Sequence, residues 1–422
     1  MKKTNLLVAT ALIFSTSLFF TSCKKDDNND EEVVVTPTPV DTSYPSITQS
    51  GNITSNTTWT KDKIVYIDGR VIVEAPAELT IEAGTVIKGK AGDGADASVL
   101  IVGVGAKIHA TGTAAEPIIF TTEDDQIVPG QIASPNLTVN NKGNWGGVII
   151  LGDAPISPSS GTTAEIEGIP AGTAGCTYGG ADATDNSGEF QYCSIRHGGI
   201  VLTGGNEING LTLGGVGSGT TIDHVEIYAG LDDGIEFFGG SVSASDLIVV
   251  KIDDDCYDID QAYSGTLSNI IAIVSPTQDG DAFEIDGPEG ASNNTGLFTV
   301  NTAYVVGSGA TSTISNGNFA VFKSKAQGTM QNVFFTNFKS GAKVKANGAD
   351  AYNNYAGTGS SSLTISNNVF NVGALTGIFS SDQTFDETTF VNGNSTGINN
   401  KVDMTQFTGW TFATNSGQYK NF

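Results

Sequence analysis

The residues whose types and spacing point to chemistry are carboxylates. Three hexapeptides share the order Asp, any residue, large apolar, acid, large apolar, any residue. They are Asp233-Gly234-Ile235-Glu236-Phe237-Phe238, Asp255-Cys256-Tyr257-Asp258-Ile259-Asp260 and Asp281-Ala282-Phe283-Glu284-Ile285-Asp286. Their starts lie 22 and then 26 residues apart. With Asp232, Asp253, Asp254 and Asp279 they make a dense acidic band. Like charges brought close repel, and a low dielectric worsens the repulsion. Such a band requires a cation, carboxyls held protonated, or side chains splayed into water. Ca2+ accepts carboxylate oxygens from several chain segments at once, which fits this pattern. The candidate ligands are Asp233, Glu236, Asp254, Asp255, Asp258, Asp260, Asp281, Glu284 and Asp286. A solvated acidic face and a catalytic acid pair are the alternatives that the residues leave open.

A lyase acting on uronates would need a basic residue beside the metal. Lys251, just ahead of Asp253, is the nearby candidate, and Arg196 and His197 lie earlier. So much negative charge would repel a polyuronate unless metal ions neutralised it. Gly214-Gly215-Val216-Gly217 and Gly103-Val104-Gly105 lack a following helix start or Lys-Ser/Thr pair, so no nucleotide site is expected. Trp59, Trp145 and Trp410 are expected in core or cap positions rather than as sugar platforms.

The elements that must position these acids are short strands. Ile64 to Ile67, Val71 to Val73, Leu79 to Ile81, Val86-Ile87 and Val99 to Val102 are apolar bursts closed by glycine, alanine or proline turns. No window of helical length keeps a 3.6-residue period with good helix formers. Glycine supplies 53 of 422 residues, which suits frequent tight turns. The fold class expected is all-β, a right-handed parallel β-helix with rungs of about 22–26 residues. Equivalent residues of successive rungs then stack ~4.8 Å apart. Ile235, Tyr257 and Phe283 should form one interior stack, and Phe237, Ile259 and Ile285 the next. The acids between them alternate to the outer face. A second column, Asp223, Asp246 and Asn269, repeats at the same period.

Composition narrows the function. Lys and Arg total 20 against 45 Asp and Glu, a net charge of −25 at pH 7. That balance excludes nucleic acid as a partner and excludes docking on anionic lipid through basic patches. Three scattered histidines exclude a His-rich zinc site.

Residues 1–22 have the form of a signal peptide: basic Lys2-Lys3, then an apolar stretch from Leu6 to Phe20. Phe20-Thr21-Ser22-Cys23 resembles a bacterial lipobox, which implies lipid on Cys23. The acidic run that follows, to Glu32, resembles the export tether of surface lipoproteins in the Bacteroidetes. Residues 23–48 are expected to be a tether, extended where Thr36-Pro37-Thr38-Pro39 alternates. Residues 49–422 are expected to form one β-helix, with rungs from about 60 and a separate cap after about 290. In an oxidising envelope Cys176 and Cys193 are candidates for a disulfide across adjacent rungs, leaving Cys256 buried or at a corner.

Leu79-Thr80-Ile81-Glu82-Ala83-Gly84-Thr85-Val86-Ile87, Gly105-Ala106-Lys107-Ile108 and Pro117-Ile118-Ile119-Phe120-Thr121 resemble the opening rungs of secreted parallel β-helices of the pectate-lyase-like superfamily. Asn144-Trp145-Gly146-Gly147-Val148, Tyr178-Gly179-Gly180 and the stretch from Asn209 to Gly217 resemble β-helix lipoproteins of the Bacteroidetes. The resemblance implies the fold and an outer-membrane, cell-surface location. It implies no particular chemistry, because the fold hosts lyases, hydrolases, adhesins and binding proteins alike. The ordered set of polygalacturonase-like hydrolases (an Asp pair, a His between glycines, then Arg-x-Lys) is missing: Arg196-His197-Gly198-Gly199 precedes the acids.

The expectation is therefore a non-catalytic surface module. It is anchored in outer-membrane lipid through Cys23 and binds Ca2+ and an extracellular polysaccharide through a stacked acidic face. The alternatives are a Ca2+-dependent polysaccharide lyase with Lys251 as base, and a structural adhesin or spacer.

Overall fold

Short apolar bursts and glycine turns fold into the rungs of a parallel coil in the computed structural model. It describes residues 44–92, 96–201, 207–278, 280–309 and 317–416. Cys23 and Asp279 lie outside the described residues. Nearly all strands pair in parallel, forming one 16-stranded and one 10-stranded sheet that face each other along the coil. Parallel pairing starts at Ser46–Ser50, ahead of residue 60, and runs past residue 290 to Ser395–Thr396.

The first rungs contain three separate strands, as at Glu78–Ile81, Val86–Gly89 and Val99–Val102. From Gly188–Arg196 to Gly328–Thr336, two of the three merge into one long bent strand, which divides again at Leu363–Ser366 and Val369–Phe370. That strand pairs with Lys107–Thr111 over its first half and Ile118–Thr122 over its second. The bend is a single left-handed residue. It recurs in register at Tyr192, His224, Asp246, Asn269, Thr302, Asn332 and Asn367, with φ between 50° and 70°. Asn and Asp tolerate this conformation better than other non-glycine residues, which explains their share of the column.

Here one expectation is corrected. His224, not Asp223, stands over Asp246, because Asp223 pairs with Ser245. The column member is fixed by the left-handed residue, one position later than the acid repeat suggests. The Asn269 amide donates to Asp246 Oδ1 at 2.6 Å, and Asn332 to Asn301 Oδ1 at 2.8 Å.

The interior stacks fall where the hexapeptides place them. Ile235 pairs with Tyr257 and Tyr257 with Phe283, while Phe237, Ile259 and Ile285 stack alongside. All six are at most 1% exposed. The Tyr257 and Phe283 rings stack with centroids 5.5 Å apart. Tyr257 also donates its hydroxyl to the Ile271 carbonyl at 2.9 Å. Trp59, Trp145 and Trp410 are all buried.

The disulfide expectation is also corrected: Cys176, Cys193 and Cys256 are all free and buried. Cys193 points into the coil between Ile118 and Val225, with its Sγ 3.6 Å from the Ala110 carbonyl. Cys176 lies outside the coil, in the apolar cover of the 10-stranded sheet. The sheet wall separates the two thiols.

The stack carries a stability consequence. Tyr257→Ala should cost about 3–5 kcal/mol by removing a ring from the middle of a column. Tyr257→Phe keeps the ring and should cost about 1 kcal/mol. Urea unfolding midpoints measure both, and equal losses would show that the ring is not a keystone of the core.

Candidate metal centre

The outward column of the 10-stranded sheet changes character along the coil. In register it runs Ile72, Ile101, Ile149, Thr212, Glu236, Asp258, Glu284, Val321 and Lys345. Its apolar start needs a cover, and the chain supplies one. An offset of 63 residues separates Val148 from its neighbour Leu211. Two excursions leave the coil there, on either side of the long strand Gly188–Arg196: 152–187, and a second whose described parts are 197–201 and 207–210. Ile156, Ile166, Ile169, Tyr178, Ile200 and Ile208 from these excursions pack on Ile72, Ile101 and Ile149.

Where the excursions end, the column turns acidic and a cavity of about 220 Å³ opens. It is lined by Glu167 and Glu207 from the excursions, by Asn209, and by Asp232, Asp233, Glu236, Asp254, Asp255, Asp258 and Glu284 from the coil. Six of the nine acids proposed from sequence meet here. Asp232, part of the acidic band, joins them. Glu167, Glu207 and Asn209 were not legible, because irregular excursions carry no rung period to align.

Two columns of carboxylates build the wall. The strand column, Glu236-Asp258-Glu284, faces outward by alternation. The turn column uses its carboxylates to bind backbone. Asp233 Oδ1 accepts the Asp255 N–H at 2.9 Å, Asp255 Oδ1 accepts the Asp281 N–H, and Asp281 Oδ1 accepts the Asn318 N–H at 2.6 Å. Each aspartate thus ties its own turn to the next.

Three groups bring carboxylate oxygens within 4.8 Å of one another: Asp232, Asp233 and Asp254; Asp233, Glu236 and Asp258; and Asp255, Asp258 and Glu284. Asp232 is 4% exposed, and its Oδ2 is buried without a hydrogen-bond partner, as is Asp258 Oδ1. Orphaned buried oxygens inside a hard-oxygen donor set are what an oxygen-seeking cation would satisfy. These residues therefore fit such an ion.

The remaining proposed ligands stand apart. Asp281 is held by Asn318, whose side-chain amide also donates to it at 2.9 Å. Asp260 and Asp286 point to the next corner. There the Asp260 carboxylate accepts the Gln261 N–H, and Asp286 lies 3.7 Å from Lys323 Nζ. Lys251 is also separate. With Lys142, Asp253, Ser275 and Thr277 it lines a second cleft, where its Nζ donates to the Val274 carbonyl at 2.9 Å and Lys142 pairs with Asp253. Arg196 is fully buried, bonded to Ser194 and the Ile132 carbonyl, and His197 Nδ1 lies 2.7 Å from the Asn141 carbonyl. The cavity lining contains no basic side chain among the described residues.

Burial and mutual repulsion shift the cluster strongly. Burial pushes the Asp232 carboxyl up to about 8, with Glu207, Asp254 and Glu167 adding to the rise. Burial pushes Asp255 up to about 8 as well, helped by Asp281 and Asp254. Burial likewise carries Asp233, Glu236 and Asp258 well above the carboxylate range, with neighbouring acids adding to each.

The sign of the pH effect follows. A carboxyl raised in the folded state keeps its proton after the unfolded chain has lost it. Metal-free stability is therefore highest near the unfolded carboxylate value and falls as pH rises toward about 8, the value Asp232 and Asp255 reach. The thermal midpoint of chelator-treated protein should drop between pH 5 and pH 8, and by less in the double variant Asp232→Asn/Asp258→Asn. A midpoint that rises with pH in the unsubstituted chain, or an equal drop in both, would contradict this.

Comparison with known proteins bears on the fold. A family described as pectate-lyase like beta helix domain matches residues 51–412. No curated protein and no solved structure matches the chain. The family match begins just after the strand Ser46–Ser50 and covers every later rung, and the chain belongs to the pectate-lyase-like beta helix domain family.

Proposed function

We propose that this protein is an outer-membrane lipoprotein, displayed at the cell surface, whose β-helix binds Ca2+ at the acidic cavity and uses that ion to hold an extracellular glycan without cleaving it. One observation carries the reading. Carboxylates from three rungs and two excursions converge on one cavity of about 220 Å³, with buried oxygens that lack partners and no basic residue in the described lining. Ca2+ is favoured among hard cations because the donors are all carboxylates and an amide, spread over several turns, and it tolerates varied coordination numbers. Bound Ca2+ would supply charge compensation and free coordination positions for hydroxyl or carboxylate oxygens of a sugar. Asp232, Asp233 and Asp254 would hold it, and Glu236 nearby would be steadied by the Asn209 amide that donates to it. The lipobox ending in Cys23 and the Thr-Pro tether support the surface location.

The lyase alternative asks Lys251 to act as base at the metal. Lys251 is engaged with the Val274 carbonyl in a different cleft, which favours binding over elimination.

Excess Ca2+ should raise the thermal midpoint of the chelator-treated protein. The stabilisation should be about 2.7 kcal/mol when free Ca2+ is about a hundredfold above Kd. Asp232→Asn should remove most of that gain. Retention of the protein on acidic polysaccharide resins should require Ca2+, and no unsaturated uronate should accumulate in ultraviolet absorbance. A midpoint indifferent to Ca2+ would end the reading, and accumulating unsaturated product would replace it with the lyase.

A further inference from the structure

The cavity offers more ligands than one ion can take. A single Ca2+ takes about six to eight oxygens, whereas nine carboxylates line the cavity and offer up to eighteen. Its volume of about 220 Å³ equals roughly seven water molecules at ~30 Å³ each, enough for two ions and a partial hydration shell.

The three carboxylate groups are not equivalent. The outer two, Asp232/Asp233/Asp254 and Asp255/Asp258/Glu284, share no residue. The middle one borrows Asp233 from the first and Asp258 from the second, adding only Glu236. Each outer group also owns a buried oxygen without a partner, Asp232 Oδ2 in one and Asp258 Oδ1 in the other, and Asp232 is 4% exposed. Glu236, by contrast, already accepts the Asn209 amide.

We infer that the cavity holds two divalent cations about one rung apart, one in each outer group, with Glu236 and the shared Asp233 and Asp258 as the anionic bridge between them. This rests on the cation-binding reading above. Two dications one rung (~4.8 Å) apart repel strongly, and interposed carboxylates offset that repulsion.

The two positions differ in strength. The first ion sits beside Glu207 and Glu167, which act electrostatically on Asp232. It therefore closes the excursions onto the coil. The second must compete with Lys323, whose ammonium pairs with Glu284. The first site is tight and the second weaker, for a reason that can be removed by mutation.

The test is Ca2+ titration of the full chain in detergent by calorimetry, with native mass spectrometry reading the number of ions held. The wild type should saturate at two ions in two steps. Asp232→Asn should lose the tight step and keep one ion. Glu284→Gln should lose the weak step and keep one ion. Lys323→Met should keep two ions and tighten the weak step by about tenfold or more, the effect of removing a competing cation. Circular dichroism and chelator-state melting verify that each variant is folded. Saturation of the wild type at one ion overturns the two-ion inference while leaving cation binding intact. Complete loss of ions in either single-site variant overturns it too. No Ca2+ uptake at all overturns the cation-binding reading itself.

Discussion

Parallel registry between rungs is the constraint on which this structure depends. Backbone hydrogen bonds hold successive rungs ~4.8 Å apart and set each side chain over its equivalent. Whatever chemistry occupies a position is then repeated along a line. For apolar residues this is stabilising, and the Ile235-Tyr257-Phe283 stack fills the interior at that spacing. For carboxylates it is costly, because the same spacing enforces repulsion that no local rotamer can relieve. The turn column softens that cost by giving each aspartate the next turn's N–H. A hydrogen bond to the charged form favours ionisation. Among the described residues, the strand column has no such donors apart from the Asn209 amide at Glu236 and the Lys323 ammonium at Glu284. It therefore carries the larger unmet demand.

The cavity exists because the outer column of the 10-stranded sheet switches from isoleucine to acid along the coil. Ile72, Ile101 and Ile149 would expose apolar surface without the excursions that cover them. Those excursions fold where the coil is apolar and stop where it is charged. Their rim brings Glu167 and Glu207 over the first acidic rungs and converts an open strip into an enclosed one. Enclosure lowers the effective dielectric and raises the carboxyls. One packing requirement, covering isoleucines, thus sets the electrostatics of the neighbouring site.

This division explains what could be seen in the sequence. Rung period, interior stacks and the acids Asp233, Glu236, Asp254, Asp255, Asp258 and Glu284 were legible because registry writes them into the sequence as a repeat. Asp260 and Asp286 share that repeat, yet they stand at the next corner. A period says which residues align along the coil and not which residues share a cavity around it. The slip from Asp223 to His224 has a related cause. The left-handed bend selects by backbone conformation, and His224 with φ 51° satisfies it where an acid was expected. Glu167 and Glu207 had no signal, since their positions follow from how irregular loops pack. Cys176 and Cys193 failed as a pair for the same reason: their spacing spans an excursion, so one thiol lies outside the wall and the other inside.

The opposite side of the coil shows the same logic carried to completion. The outer face of the 16-stranded sheet is apolar at Tyr228, Ile248, Val250, Ile271, Ile273, Tyr304 and Phe334, and the C-terminal segment with Phe407, Trp410 and Phe412 lies across it. Its hold is polar as well as apolar. Glu226, fully buried, accepts the Phe412 and Ala413 N–H groups, both at 2.8 Å, while the Arg196 guanidinium lies 4.9 Å from the Phe412 ring centroid. A buried carboxylate is tolerated there because backbone donors and a cation answer it within the chain. In the acidic cavity Asp232 Oδ2 and Asp258 Oδ1 are buried atoms with no such answer among the described residues. The difference between the carboxylate that fastens a strap and these two is whether the fold supplies a partner for the buried oxygen.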